Sequence, residues 1–419
     1  MTTFTPKRMM AIHPTEPYGN SGFSCLSLDK NITYFIATMT FIFMLTIGCG
    51  KTTIPIQSPS ENTPTAVSLA DTPTTKIIIT PIVDESLNEQ IYPEILRVCL
   101  LAISDINANN FNGYAYEGMQ DAAATHGFET VYFVLDKTGV EDAPEEMANC
   151  LATEPQVIIT VGIPLSEITT ETAKAYPDIF FIGVDHFVLD GTENYVGIQF
   201  REDEAGFLVG YMAGLVTKSN IVAGVYGRPY PPLKRFRNGY EQGVKLVAEE
   251  LGKEITVLGT YLESFIDHEA GAASAEQFIN EGADVIFGVA GASGSGAIVF
   301  AAQHEVYVIG VDQDEFFTTF DGGKLDGTEY LISSALKHVD IGVYDMLTAL
   351  ARGNMTNFPG GGNYILTIEN GGLSFANRHE ADISESIYDN VAELELKLAS
   401  GEISTGVDPE SGELLSNKD

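Results

Sequence analysis

Residues 284–311 read D-V-I-F-G-V-A-G-A-S-G-S-G-A-I-V-F-A-A-Q-H-E-V-Y-V-I-G-V. An apolar run of strand length at 284–290 leads through a glycine-rich turn into a helical pattern at 294–304, and a second apolar run follows at 306–311. This order is typical of a strand–helix–strand unit with parallel strands. The turn lacks the glycine order of a dinucleotide-binding fingerprint, so we interpret it as a tight strand-to-helix connection.

The same alternation occupies most of the chain from residue 97 onward. It predicts strands at 97–104, 129–135, 156–161, 179–184, 195–200, 220–226, 254–260, 284–290, 306–311 and 330–333. It predicts helices at 112–126, 144–151, 166–175, 202–216, 233–251, 268–280, 294–304 and 339–351. The expected fold class is therefore α/β with parallel sheets. The length of 419 residues favours two lobes over one domain.

The charge balance argues against one class of partner, and the motifs argue against catalysis. The chain has 22 Lys and Arg residues against 58 Asp and Glu residues, a net charge of -36. Such a surface repels phosphate backbones, so nucleic acid is not an expected partner. The sequence has no G-x-S-x-G or H-E-x-x-H motif, and its seven histidines are dispersed. We therefore expect a protein that is not an enzyme and uses no cofactor or metal.

The N-terminal region has the layout of an export signal. A basic flank precedes an uncharged stretch at 31–48, and Cys49 follows a small residue. The segment T-I-G-C at 46–49 resembles the bacterial lipobox, although Thr46 stands where Leu is usual. We expect residues 1–49 to be a signal peptide with lipidation at Cys49; an uncleaved anchor helix is the alternative. Both interpretations place the rest of the chain outside the membrane.

The composition after the predicted signal peptide indicates a tether. The segment 50–93 begins rich in Thr, Ser and Pro, as expected of a flexible linker.

In open α/β sheets, ligands bind beyond the carboxyl ends of the strands. One Asp there is usually a helix cap or a turn residue. Here polar residues follow four predicted strands, which favours a binding site; they lie at 104–112, 184–186, 290–294 and 311–314.

Five motifs in order resemble the basic membrane protein family of substrate-binding lipoproteins, best known for its purine nucleoside receptors. They are D-I-N-A-N-N-F-N-G-Y-A-Y-E-G (105–118), F-R-E-D-E-A-G-F-L-V-G-Y-M-A-G (200–214), Y-G-R-P-Y-P-P-L-K-R-F-R-N-G-Y-E-Q-G (226–243), S-F with a nearby D (264–267), and E-G-A-D-V-I-F-G-V-A-G (281–291) joined to I-G-V-D-Q-D (309–314) and S-S-A-L-K-H-V-D (333–340). The resemblance implies the periplasmic-binding-protein type I fold, with two doubly wound parallel-sheet lobes joined by three crossovers and a ligand between them.

The resemblance also implies a division of the chain. Lobe one is expected at 94–200 plus 335–353, and lobe two at 201–334 plus 354–402. Residues 403–419 are expected to be a C-terminal tail.

A nucleoside-like solute of purine type and an ABC permease in the membrane are the partners that the resemblance implies. The protein would be extracytoplasmic and anchored to the cell membrane as a lipoprotein. The ligand-binding residues implied are Asp105, Asn107, Phe111, Asn112, Asp185, Phe265, Gly291, Asp312 and Lys337.

Their expected roles differ. Phe111 and Phe265 would stack on the base, since a flat π-system gains from aromatic faces, although both could be ordinary core residues. Asp105, Asn107 and Asp185 would contact the base edge or close the cleft. Gly291, Asp312 and Lys337 would lie on the ribose side, where Asp312 would accept hydrogen bonds from the hydroxyls and Lys337 would donate to them.

Two points stay open, the cargo and the pairing of two cysteines. Asn109 and Asn110 precede Phe111 where family members often carry an Asp, so a sugar or vitamin precursor, for import or sensing, remains an alternative, as does a nucleoside hydrolase. Whether Cys99 and Cys150 pair does not follow from spacing. The charged residues that begin the helix at 202 are expected to cap and brace it; they are Arg201, Glu202 and Glu204.

Overall fold

The structure is a computed structural model that describes residues 97–106, 111–135 and 140–416. The predicted signal peptide, the tether, Cys49 and Asn107 lie outside the described residues.

The strands, in chain order, are β1 (Arg97–Ala102), β2 (Glu129–Val134), β3 (Val157–Val161), β4 (Phe180–Val184), β5 (Tyr195–Phe200), β6 (Ile221–Tyr226), β7 (Thr256–Tyr261), β8 (Val285–Val289), β9 (Tyr307–Asp312), β10 (Leu331–Lys337), β11 (Asn363–Leu366) and β12 (Leu373–Phe375). The α-helices are α1 (Phe111–His126), α2 (Ala143–Ala152), α3 (Ser166–Ala175), α4 (Glu202–Val216), α5 (Pro231–Leu251), α6 (His268–Asn280), α7 (Ala292–Ala302), α8 (Val339–Ala351) and α9 (Glu385–Ala399).

The strands form two sheets with the same order. Sheet one is β2-β1-β3-β4-β5-β11 and sheet two is β7-β6-β8-β9-β10-β12. The neighbours pair in parallel, apart from β12, which is antiparallel to β10. β3 and β8 are buried along their whole length, which is why they are continuous apolar runs and do not alternate. The predicted α/β class with two doubly wound lobes is confirmed.

The chain passes between the two sheets three times, as predicted. It leaves sheet one after β5, returns after β10 through α8, and leaves again between β11 and β12. α8 belongs with lobe one because it packs closely on α1: a Cβ atom at Gly118 would lie 2.3 Å from the carbonyl oxygen of Asp340. The three passages put the carboxyl ends of both sheets on either side of one cleft.

The lobe boundaries differ from the prediction in two places. β11 was expected in lobe two, within 354–402, but it pairs with β5 in sheet one, with Asn363 opposite Gly197. Residues 335–337 were expected in lobe one, but they end β10, which pairs with β9 in sheet two. Backbone pairing between strands distant in the sequence decides both positions, and local pattern carries no signal for it.

A glycine-lined crossing joins α4 to α5 and positions the candidate site. Added Cβ atoms at Gly206 and Gly210 would lie 2.4 and 2.1 Å from carbonyl oxygens of α5, and one at Gly239 would lie 2.2 Å from the carbonyl oxygen of Asp203. The two backbones therefore touch, and side chains at the start of α4 reach those at the start of α5. α4 is apolar on nearly every face, which is typical of a helix surrounded by protein.

A disulfide closes part of lobe one. Cys99 on β1 is bonded to Cys150 on α2, across a sequence separation of 51 residues, and both side chains are buried. The open question of their pairing is thereby answered. Such a bond restricts the unfolded chain and is typical of proteins in oxidising compartments.

Residues 403–416, which we call the strap, follow α9 and fold back on lobe two. Val407 and Leu414 form an isolated antiparallel bridge, and the amide of Asp408 donates to the carbonyl oxygen of Glu413 at 2.8 Å. Lys234 on α5 forms an ion pair with Glu413 at 2.6 Å. This part of the predicted tail is ordered by contacts with α5.

Candidate functional site

A chain of buried ion pairs crosses between the lobes. The ammonium group of Lys337, at the end of β10, lies 2.8 and 2.9 Å from the two carboxylate oxygens of Asp185, which follows β4. The same ammonium lies 2.9 Å from Glu202, the first residue of α4. Glu202 in turn accepts a hydrogen bond from Arg235 on α5. Lobe one supplies Asp185 and lobe two supplies Lys337, so this contact spans the cleft.

The charges in this chain are set by burial and by one another. Burial opposes the charge on Lys337, but the carboxylates of Asp185, Glu202 and Asp312 outweigh it and raise the pKa of Lys337. Burial raises the pKa of Asp312 to about 6; Lys337 lowers it in part, while Asp185 raises it further. Burial also raises the pKa of Asp185, against the opposing effect of Lys337. With its pKa of about 6, the Asp312 carboxyl group titrates between pH 5 and pH 7.

Two of the carboxylates are held in an uncommon backbone conformation. Asp185 has φ of 61° and Asp312 has φ of 63°. Asp tolerates this left-handed region better than most residues do, and such strain clusters at functional sites. The turn at Asp185 is fixed by buried His186, whose Nδ1 lies 2.7 Å from the Tyr195 hydroxyl and whose Nε2 lies 2.8 Å from the carbonyl oxygen of Gly162. Burial lowers the pKa of His186 to about 4, so it serves as a neutral structural residue.

A buried glutamate fixes the loop that carries Asp312. Glu315 is 4% exposed and accepts hydrogen bonds from the amide of Val311 at 3.0 Å and the hydroxyl of Ser295 at 3.0 Å. The hydroxyl of Thr319 donates to the same carboxylate. Burial raises the pKa of Glu315 to about 7, and these hydrogen bonds offset part of that rise. The loop after β9 is thus tied to the first turns of α7.

Aromatic rings flank the ammonium group on the lobe-one side. The Lys337 nitrogen lies 5.1 Å from the ring centre of Phe111 and 4.6 Å from that of Phe200, within the range of cation–π contacts. Phe111 begins α1 and is half-buried, while the next residue, Asn112, is buried and donates from Nδ2 to the Ser104 hydroxyl at 2.6 Å. Phe111 therefore presents one side of its ring beside the ion pair.

Phe265 lies in lobe two, between β7 and α6, and packs against the residue before α7. It is half-buried, and its ring covers Gly227 so closely that a Cβ atom there would lie 2.1 Å from the ring. Its carbonyl oxygen lies 3.0 Å from where a Cβ atom of Gly291 would be, and Gly291 has φ of 53° and ψ of -135°, a conformation reserved for glycine. Gly291 thus admits the Phe265 backbone at the start of α7.

The structure brings some of the expected residues together and separates others. Phe111, Asp185, Asp312 and Lys337 form one group, and Phe265 with Gly291 forms another. Among the described ring contacts, Phe111 and Phe265 do not form a pair. Asp105 is exposed beyond β1.

Glu202 and Arg235 of this ion chain were not among the expected site residues. Glu202 was assigned to bracing α4, a role that its neighbours fill: Arg201 pairs with Asp203 at 2.8 Å, and Glu204 accepts from the amide of Ile368 at 2.8 Å. Glu202 instead contacts Lys337 and Arg235. Its position two residues after β5 was the available signal, since polar residues just beyond a strand end lie near the cleft.

Comparison with known proteins identifies the family of the chain. A family model described as ABC transporter substrate-binding protein PnrA-like matches residues 95–408. The CD4+ T-cell-stimulating antigen of Listeria monocytogenes is 30% identical over 315 residues, covering 71% of this chain and 84% of that protein. The ABC transporter nucleoside-binding protein BmpA of Lactococcus lactis is 26% identical over 309 residues, covering 71% and 85%.

A crystal structure of a solute-binding protein of an ABC transporter from Aeropyrum pernix K1 superposes with a TM-score of 0.63 at 25% identity, covering 74% of this chain and 92% of that one. The two-lobed fold and its cleft therefore define a substrate-binding protein of an ABC transporter. The chain belongs to the Bmp family of PnrA-like substrate-binding proteins.

Metal-binding clusters and membrane-spanning helices are both absent from the described residues. These residues contain no group of three or more His, Cys, Asp or Glu side chains arranged to hold a metal ion. Within the same ranges, no helix combines the length and apolar character needed to cross a membrane.

Proposed function

We propose that this protein captures a nucleoside, of purine type, between its lobes and delivers it to an ABC permease. The observation that carries the proposal is the group formed by Lys337, its carboxylate partners and the Phe111 ring at the carboxyl ends of the strands. A nucleoside combines a flat base with vicinal hydroxyls, and this group combines an aromatic face with charged acceptors and a donor. The nucleoside-binding relative from Lactococcus lactis supports the same cargo.

The proposed contacts follow from the chemistry of each group. The base stacks on Phe111 from lobe one and on Phe265 from lobe two. The ribose hydroxyls donate to Asp312 and accept from Lys337, beside the backbone of Gly291. Of the two roles expected for Asp185, its bidentate contact with Lys337 across the lobes favours cleft closure. Asp105 and Asn107 remain proposed contacts for the base edge or for cleft closure, and Asn112 remains a proposed contact of the solute.

Location and anchoring are part of the proposal. We infer that Cys49 carries a lipid that holds the folded lobes on the outer side of the cell membrane. The buried disulfide between Cys99 and Cys150 supports an oxidising compartment outside the cytoplasm. Metabolic labelling with a radioactive fatty acid tests the anchor. Wild-type protein should incorporate label, a Cys49→Ser variant should not, and equal labelling of the two would refute lipidation at this residue.

The solute itself can be identified directly. Protein purified without refolding is denatured with acid, and the released small molecules are analysed by mass spectrometry. Recovery of one nucleoside per chain supports the proposal. Recovery of a sugar or a vitamin precursor instead would replace the proposed cargo with that class of solute.

The absence of catalysis is also proposed, against a nucleoside hydrolase as the alternative. Long incubation of pure protein with a nucleoside, followed by chromatography for the free base, tests it. Intact nucleoside is the expected result. Release of base in proportion to protein concentration would make the protein an enzyme.

A further inference from the structure

The strap contacts the same arginine that completes the ion chain in the cleft. The guanidinium group of Arg235 is 1% exposed. Its Nε donates to Glu202, while its Nη1 donates to the carbonyl oxygens of Pro409 at 3.0 Å and Glu410 at 3.2 Å. A buried guanidinium needs acceptors for its donors, and the strap supplies two of them. Arg235 therefore connects the strap to Glu202 and, through it, to Lys337.

Further contacts fix the strap on the first turns of α4 and α5. The hydroxyl of Thr405 donates to Asp203, which follows Glu202 in the chain. Asn238, one turn after Arg235, donates from Nδ2 to the carbonyl oxygen of Gly412. Thr405 and Gly412 are buried, so these contacts are parts of the folded core and do not belong to a solvated tail.

Gly412 marks the closest approach of the strap to α5. A Cβ atom at this position would lie 2.8 Å from the carbonyl oxygen of Pro231 and 2.9 Å from the amide nitrogen of Arg235. Its φ is 74°. Any side chain at residue 412 must therefore push the strap away from the backbone that carries Arg235.

We propose that the strap is a positioning element of the solute site, which fixes the positions of the Glu202 and Lys337 side chains through Arg235. This inference rests on the proposed capture of a solute at Lys337. Glu202 receives Arg235 on one carboxylate oxygen and Lys337 on the other, so a displaced guanidinium changes the place and charge balance of the group that holds the lysine. The strap thereby affects solute affinity without touching the solute.

A pair of glycine variants tests the proposal. Gly412→Ala displaces the strap, whereas Gly401→Ala is a matched control: Gly401 has φ of 70° but nothing within 4 Å of an added Cβ atom. Both variants carry the same backbone penalty. Solute affinity is measured by isothermal titration with the purine nucleoside inosine. We expect at least about tenfold weaker binding for Gly412→Ala and an unchanged affinity for Gly401→Ala.

A second readout needs no solute and separates this inference from the proposed function. Hydrogen exchange of the unliganded variants is followed in peptides covering 199–204 and 331–338. Gly412→Ala should exchange faster in both peptides, while 157–161 in sheet one keeps its wild-type rate. If wild-type protein binds no nucleoside, the proposed function fails, and the exchange comparison alone decides the role of the strap.

The pH profile distinguishes positioning from general loss of structure. The cations that face Glu202 are Lys337 and Arg235. The carboxyl groups close by are those of Asp185, Asp203 and Asp312. Burial raises the pKa of Glu202, and the two cations overcome this and lower it. Displacing Arg235 should raise it again. Affinity of Gly412→Ala should therefore fall more steeply between pH 7 and pH 5 than that of Gly401→Ala.

A milder variant keeps the proposal testable if Gly412→Ala does not fold. Asn238→Ala removes one donor to the strap and adds no atoms, so it should weaken binding in the same direction, by at least about threefold. The proposal is overturned if Gly412→Ala matches Gly401→Ala in affinity and in hydrogen exchange. It is also overturned if the peptides 199–204 and 331–338 of Gly412→Ala exchange faster while the affinity stays at the wild-type value. Should Gly412→Ala fail to fold, wild-type behaviour of Asn238→Ala in both measurements overturns it.

Discussion

Replacing Lys337 with methionine should destabilise the folded protein strongly. The Lys337 side chain is 3% exposed, and its ammonium group lies within 3 Å of carboxylate oxygens of both Asp185 and Glu202. The side chains of these two partners are 10% and 0% exposed. Methionine fills a similar volume but leaves the charge of Asp185 without its cation. Removing one partner of a buried pair typically costs about 3–5 kcal/mol. We expect a loss of that size in the free energy of unfolding at pH 7.

Urea denaturation at pH 7 measures this loss, and a second substitution tests its cause. In the double variant Lys337→Met, Asp185→Asn the uncompensated charge is gone, so about 2 kcal/mol should return. Lys324→Met is the matched control, because the Lys324–Asp321 pair is exposed and should contribute little. A loss below about 1 kcal/mol for Lys337→Met, or no recovery in the double variant, would refute the reasoning.

Three further predictions follow from the site and the core. Wild-type protein should bind a nucleoside about tenfold more weakly at pH 5 than at pH 7, because the Asp312 acceptor is lost as the pH falls through its pKa of about 6; Asp312→Asn should abolish this dependence in titration calorimetry. Phe111→Ala should cost about 1–3 kcal/mol of nucleoside binding and leave ribose binding unchanged in the same assay. Replacing Cys99 and Cys150 with alanine should lower the free energy of unfolding in urea by about 4 kcal/mol, given the 51-residue separation.

Each of these has an outcome that contradicts it. Affinity that stays constant from pH 7 to pH 5 would remove Asp312 from the site. Equal losses for nucleoside and ribose in Phe111→Ala would indicate damage to the cleft in place of lost stacking. An alanine variant of the two cysteines that unfolds like the wild type would remove the disulfide from the account of stability.

The regular elements could be predicted because local pattern determines them. The helix expected at 202–216 forms with those bounds, since its apolar sequence follows a polar start and ends at Val216. The ten expected strands all form, with ends that shift by a few residues. The four-residue strand β11 was not among them. Of its residues N-Y-I-L only Leu366 is buried, and the pairing with β5 makes them a strand.

The site was predictable in its parts but not in its connections. Asp185 follows β4, while Asp312 and Lys337 end β9 and β10, and a doubly wound sheet brings such positions to one edge. The contact of Glu202 with Arg235 depends on the glycine-lined crossing of α4 and α5, whose geometry no local pattern specifies. The disulfide and the strap are likewise contacts between segments distant in the sequence.

Titration calorimetry of nucleosides against protein that has been stripped of any carried solute and refolded tests whether the cleft binds a purine nucleoside. We expect one-to-one binding of a purine nucleoside, with ribose and the free base each at least about tenfold weaker, because each lacks either the stacking face or the hydroxyl contacts. Binding of ribose as tight as that of the nucleoside would contradict the stacked-base site. No heat from any nucleoside would leave the fold and family in place and exclude this cargo.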